Sequence, residues 1–226
     1  MELDRNTLIS WLEEKDTSRL ERLYGEAYRT KVSTVGDKVY LRGLVEISNI
    51  CRKNCLYCGI RRDNHAAGRY EISSEEVLQS AEFAYKEGYA SMVIQGGERT
   101  DRTFISKITS LLKEIKQRWP LGITLSLGEQ PLEVYREWFE AGAHRYLLRI
   151  ESSTRELYEK IHPGDSLHSY DSRVQALKDL RTAGYQVGTG VMIGLPFQTA
   201  AHLADDLLFF KKMDIDMCGM GPYLEH

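Results

Sequence analysis

Short apolar runs alternate with amphipathic stretches about six times along this chain, and that alternation limits the fold more than any other feature. Val39–Ile47, Ala90–Ile94, Gly122–Leu127, Arg145–Ile150, Gln186–Ile193 and Met217–Met220 read as strands. Helical periodicity fills the gaps, over Phe104–Arg118, Leu132–Ala141, Tyr170–Ala183 and Ala200–Met213. Ser73 and Glu76 form a capping-box pair that opens another helix to about Glu87, and Gly88, Gly142 and Gly184 sit where helices stop. Short strands returned by helices predict an α/β fold with a parallel sheet and helices outside it. Residues 35–226 fall short of the roughly 250 that a closed eight-stranded barrel takes, so about six (βα) units are expected: a TIM-type barrel that is partial or truncated at its C-terminal side. Free first and last strands would then expose apolar surface near Val39–Ile47 and Met217–Met220. Ahead of them, Leu8, Trp11, Leu12, Leu20, Leu23, Tyr24 and Ala27 predict a helical extension over residues 1–34, packed on the 35–226 domain.

With 42% hydrophobic and 28% charged residues the composition is that of a folded globular chain. Thirty basic and 33 acidic residues leave a formal charge of -3, which gives no electrostatic case for nucleic acid or an anionic membrane as partner. No apolar run approaches the roughly 20 residues of a membrane span. The opening Met1-Glu2-Leu3-Asp4-Arg5 lacks an apolar signal core, so the expected address is cytoplasmic.

The cysteines carry the chemistry. Cys51, Cys55 and Cys58 stand in a C-x3-C-x2-C spacing directly after the first expected strand, with Cys218 far away in sequence. Three clustered thiolates can hold three corners of a 4Fe–4S cube and leave one iron open. The competing reading is a structural zinc with His65 as fourth ligand, and then a non-catalytic α/β binding module. Polar and glycine residues gather at the other strand ends: Asn49, Gln95–Glu98, Ser126–Glu129, Glu151 and Gly194. In parallel α/β folds those ends share one rim, where active sites lie.

The chain resembles the radical S-adenosylmethionine (SAM) superfamily. Within it the run Cys51 to Asn64, then Arg69-Tyr70, Thr124–Glu129, Arg145–Arg149 and Asp214–Met217 followed by Gly221-Pro222, look like the HydE type of FeFe-hydrogenase maturase. The wider group includes biotin synthase and methylornithine synthase. The resemblance implies an oxygen-sensitive enzyme that reductively cleaves SAM to a 5′-deoxyadenosyl radical, with a 4Fe–4S cluster on Cys51, Cys55 and Cys58. It implies that Tyr57 lies by the adenine, that Gln95-Gly96-Gly97-Glu98 approaches the methionine amino group, and that Glu151 and Arg173 hold SAM. It further implies a small-molecule or organometallic substrate inside the barrel, an electron donor such as ferredoxin or flavodoxin, and other hydrogenase maturases as partners. The residues alone admit plainer roles: Tyr57 a core aromatic, Gly96-Gly97 a strand-end turn, Glu129 a helix cap, Arg149 an ion-pair partner of Glu151. Gly188–Gly194 reads as a strand whose small residues let the adenosine come close. Gly96, where the family often has Ser, and Arg99-Thr-Asp-Arg102, in place of Asp-Pro-Tyr-Tyr, depart from the pattern.

Overall fold

The computed structural model describes residues 4–225. Two helices come first, α1 (Arg5–Leu12) and α2 (Thr17–Val35), capped by the side chains of Asp4 and Asp16. The alternation then runs β1 (Gly43–Ser48), α3 (Ser74–Lys86), β2 (Ser91–Gly96), α4 (Arg102–Arg118), β3 (Gly122–Ser126), α5 (Leu132–Glu140) and β4 (Arg145–Leu147). The expected Ser73–Glu76 capping box is formed at the start of α3. Between β4 and the next expected helix lie two elements outside the expected pattern, a short α6 (Arg155–Lys160) and a 3-10 turn at Ser166–His168. After them come α7 (Tyr170–Thr182), β5 (Gln186–Thr189), β6 (Met192–Ile193), α8 (Ala200–Lys212), β7 (Met217–Cys218) and β8 (Gly221–Pro222).

Six strands pair in the order β1-β2-β3-β4-β5-β7, every pair parallel, and β6 pairs with β8 in the same sense. This is the open α/β sheet of a partial barrel. The fifth and sixth expected strands are each interrupted. A side chain on Gly190 would meet the Gly219 carbonyl oxygen at 1.7 Å, so the two chains touch at the break and only glycine fits there. The released Gly190 carbonyl instead accepts the Glu151 N–H at 3.0 Å.

The core lies between sheet and helices. Ile47, Met92, Ile94, Leu125 and Tyr146 from the strands meet Ile108, Leu112, Trp138 and Leu180 from the helices, all of them buried. The free edges expose Leu44 and Met220, as the strand count predicts. Two expectations need correction. The first strand begins at Gly43, because Val39, Tyr40 and Leu41 are exposed with no strand partner. The N-terminal helices do not both pack on the sheet domain. Helix α1 lies on α8, burying Leu8 and pairing Arg5 with Asp205 at 2.6 Å, whereas α2 buries none of its side chains.

Candidate active site

The cysteine loop leaves the carboxyl end of β1, and its backbone is held from several sides. Inside the loop the Cys58 N–H donates to the Cys55 carbonyl at 3.1 Å and the Arg62 N–H to the Lys53 carbonyl at 2.8 Å. From outside, the Leu56 N–H reaches the Ile161 carbonyl at 3.1 Å, and the Asn54 N–H donates to His168 Nε2 at 2.9 Å. His168 is buried, and its other ring nitrogen meets Asp165 at 2.6 Å. The end of β2 closes the loop's first turn. A side chain on Gly97 would sit 2.3 Å from the Ile50 carbonyl oxygen and 2.8 Å from Cys51 Cβ, so the loop comes this near only to a glycine. The next residue, Glu98, donates its N–H to Cys51 Sγ at 3.3 Å.

All three thiols are free, with Cys55 buried and the other two half-buried. Burial pushes the Cys55 thiol up to about 11, opposed by Arg173, Tyr57 and Lys53. Cys58 is raised as well, first by burial. Such thiols ionise when a metal centre takes the proton's place. Among the described residues no three Cys, His, Asp or Glu side chains converge as the ligands of a single ion. His65, the fourth ligand of the zinc reading, is exposed. Three thiolates on one loop can each bind a different iron of a cube. Cys218 is exposed on β7, beside Thr189.

Behind the loop lies a buried chain of alternating charge that sequence reasoning missed. Lys53 Nζ stands 2.7 Å from Glu129 and 3.5 Å from Glu98. Glu98 accepts the Glu129 N–H at 2.8 Å, and Arg173, buried on α7, pairs with Glu129 and donates to the Arg149 carbonyl. Glu129 thus belongs to this chain, not to a helix cap: the N-cap of α5 is Pro131, which makes no side-chain cap. The carboxylate of Glu98 faces Lys53 while its backbone faces Cys51.

The remaining candidates are Glu151, Gln95 and Tyr57. Glu151 has φ 63 in the left-handed region, buried, with Oε1 3.4 Å from Arg149 and Oε2 lacking any hydrogen-bond partner. Burial pushes its carboxyl up to about 7, against the pull of Arg149 and Arg173. A buried, half-satisfied carboxylate on a left-handed backbone makes Glu151 a candidate functional position. Arg149 pairs with Glu151 as the plainer reading proposed. Gln95 donates to Glu46 at 2.7 Å across β1 and β2. These two residues, with Gly96, Ser126 and Arg149, line a cavity of about 380 Å³ at the strand ends. The Tyr57 hydroxyl meets His162 at 3.2 Å, and His162 stacks on Tyr158 at 3.9 Å between ring centroids. Burial lowers His162 to about 3, so it is neutral beside Tyr57.

The structure thus brings Cys51, Gly97 and Glu98 into contact. It also sets Cys55, Tyr57, Glu151 and Arg173 close enough to perturb one another electrostatically. Lys53, His162 and His168 carry no local signal, because a charged or polar residue in a loop is exposed by default.

Known proteins resemble this chain in sequence and fold. The chain is 43% identical over its whole length to the "[FeFe] hydrogenase maturase subunit HydE" of Thermotoga maritima, covering 63% of that protein. It is 30% identical to the biotin synthase of Geobacillus kaustophilus over 95% of this chain and 64% of the other. The crystal structure of methylornithine synthase superposes with a TM-score of 0.90 at 25% identity, over 99% of this chain and 65% of that one. The chain therefore spans less than two thirds of the length of these relatives. The family model described as "Radical SAM superfamily" matches residues 45–210, from within β1 to near the end of α8. That match takes in the cysteine loop and the strand ends around it, and by it the chain belongs to the radical SAM superfamily.

Proposed function

We propose that this chain is the SAM-cleaving part of a radical enzyme in the group that contains HydE, biotin synthase and methylornithine synthase. One observation carries the reading: three free cysteines on a loop that leaves the first parallel strand and closes on Gly97. Cys51, Cys55 and Cys58 would hold a 4Fe–4S cluster, which when bound supplies the electron that splits the SAM sulfonium into methionine and a 5′-deoxyadenosyl radical.

The chain's own residues suit the two ends of an α-amino acid. Glu151 Oε2 is buried without a partner and would accept the SAM ammonium, which also favours the ionised carboxylate. Arg173 commits Nε to Glu129 and Nη1 to the Arg149 carbonyl, and among the described residues its Nη2 makes no hydrogen bond. That nitrogen is the donor left for a carboxylate. Tyr57, fixed by His162, offers an aromatic edge to the adenine. The 380 Å³ cavity is the place for the substrate, and an electron donor of the ferredoxin or flavodoxin type completes the reaction.

Within that group we favour FeFe-hydrogenase cofactor assembly, alongside other maturases, because the 43% identity to HydE runs across the whole chain. The TM-score of 0.90 to methylornithine synthase supports a second reading, radical chemistry on an amino-acid or biotin-type substrate. Iron and sulfide counts on anaerobically reconstituted protein, followed by 5′-deoxyadenosine release from SAM under reduction, test the shared reading. Four irons per chain and release of the nucleoside are expected for a cube. Zinc in place of iron would refute it. Assay with defined substrates then separates the two finer readings.

A further inference from the structure

The cysteine loop spans residues 49–71 and contains no helix and no strand beyond a single bridge at Glu71. Its carbonyls therefore lack the ladder partners that a helix or sheet supplies, and each needs a donor. One side chain serves five of them. Arg69 Nη1 donates to the Asn49 and Ile60 carbonyls, both at 2.8 Å. Its Nη2 donates to the carbonyls of Arg61 at 2.6 Å, Asn64 at 3.1 Å and Arg62 at 3.4 Å. No carboxylate pairs with Arg69 among the described residues, so its charge is answered by carbonyl dipoles alone.

The base of this side chain is tied to the sheet. The Tyr70 N–H donates to Asn49 Oδ1 at 2.8 Å, Asn49 Nδ2 donates to the Gly68 carbonyl at 2.7 Å, and Ser48 Oγ donates to the Tyr70 carbonyl at 2.9 Å. Glu71, bridged to Ser48, is held in turn by Arg99 and by Lys107 at 2.8 Å. The guanidinium thus projects from a fixed point at the end of β1 into the segment just beyond Cys58. A planar fork of five N–H groups can serve several carbonyls at once, which a lysine ammonium with three donors on a flexible stem cannot.

We propose that Arg69 is the positioning residue of the cysteine loop: by gathering the carbonyls on both sides of the cysteines onto one sheet-anchored guanidinium, it sets the loop in the shape that receives the cluster. This rests on the cluster reading above, but the loop's order can be measured apart from it.

The experiment compares the chain, isolated anaerobically, with Arg69→Lys and Arg69→Ala. Amide hydrogen exchange is followed in peptides covering residues 50–64, and iron is counted on the same samples. Exchange in that segment should be about ten-fold faster in both variants while α4 and β3 keep wild-type protection. Millimolar methylguanidinium should restore protection to Arg69→Ala and leave Arg69→Lys unimproved. In iron-loaded samples, loss of iron to a chelator should also be about ten-fold faster in Arg69→Lys, which ties loop order to the cluster. Exchange within about two-fold of wild type in Arg69→Lys would overturn the assignment, as would acceleration spread evenly over the sheet, which marks global destabilisation. A wild-type sample without iron would refute the cluster reading alone, since the exchange comparison still decides whether Arg69 orders the loop.

Discussion

Helix α2 runs for 19 residues with no buried side chain, whereas the irregular loop over residues 49–71 buries Lys53 and Cys55. The helix satisfies its backbone internally and leaves Tyr24, Tyr28 and Val35 exposed. The loop satisfies much of its backbone through single contacts, from Arg69 within it and from His168 outside it. Regular secondary structure and attachment to the fold are therefore separate properties here. Substitutions should be severe where the backbone is irregular and mild where it is helical.

The largest effect expected is total. Cys55→Ala should abolish the iron–sulfur chromophore, and Cys218→Ala, on exposed β7, should leave it intact; absorbance and iron analysis of the two variants decide this. A full cluster in Cys55→Ala would break the comparison at its root.

Removing the free carboxylate should come next. Glu151→Gln should weaken SAM binding by roughly 10- to 150-fold, the worth of one charge-assisted contact, while iron content holds. Titration of SAM into reconstituted protein measures it. Gly97→Ala should follow at about 1–3 kcal/mol of stability, because a methyl group 2.3 Å from the Ile50 carbonyl forces the loop off β2. Denaturant midpoints, with cluster content in parallel, test whether the loss falls on the loop.

The acidity of Glu151 adds a pH signature. Its folded carboxyl sits at about 7, above the ordinary 4.5, so the folded state holds the proton more tightly than the unfolded chain. Its contribution is complete below pH 4.5 and is lost as pH rises to 7, with a slope of up to about 1.4 kcal/mol per pH unit. Stability of metal-free wild type relative to Glu151→Gln should fall across that window; parallel curves would mean the carboxyl is not held protonated. The smallest change belongs to α2. Tyr24→Ser and Tyr28→Ser should each move stability by no more than about 0.5 kcal/mol, and a larger loss would show that this face is covered in solution.

The local record in the sequence was good wherever a structure answers to its own residues. Capping at Ser73, the glycine after α3, and the apolar periodicity of α4 and α5 all reappear close to where they were read. So does the parallel sheet, because helices between short strands leave few other topologies. The cysteine spacing was legible for the same reason: its meaning lies within eight consecutive residues.

What the sequence alone determined, then, is the alternating fold, the position of the thiols and the rim on which polar strand ends gather. Tertiary structure decided the rest. It buried Lys53 by bringing Glu98 and Glu129 from two other strand ends, and gave Glu151 a left-handed backbone by pairing its N–H with Gly190. It also left α2 without a buried side chain despite an apolar stripe. The physical reason is common to all three. Burial, charge pairing and backbone strain depend on which distant segments arrive at a point in space, and periodicity along the chain reports only the near ones.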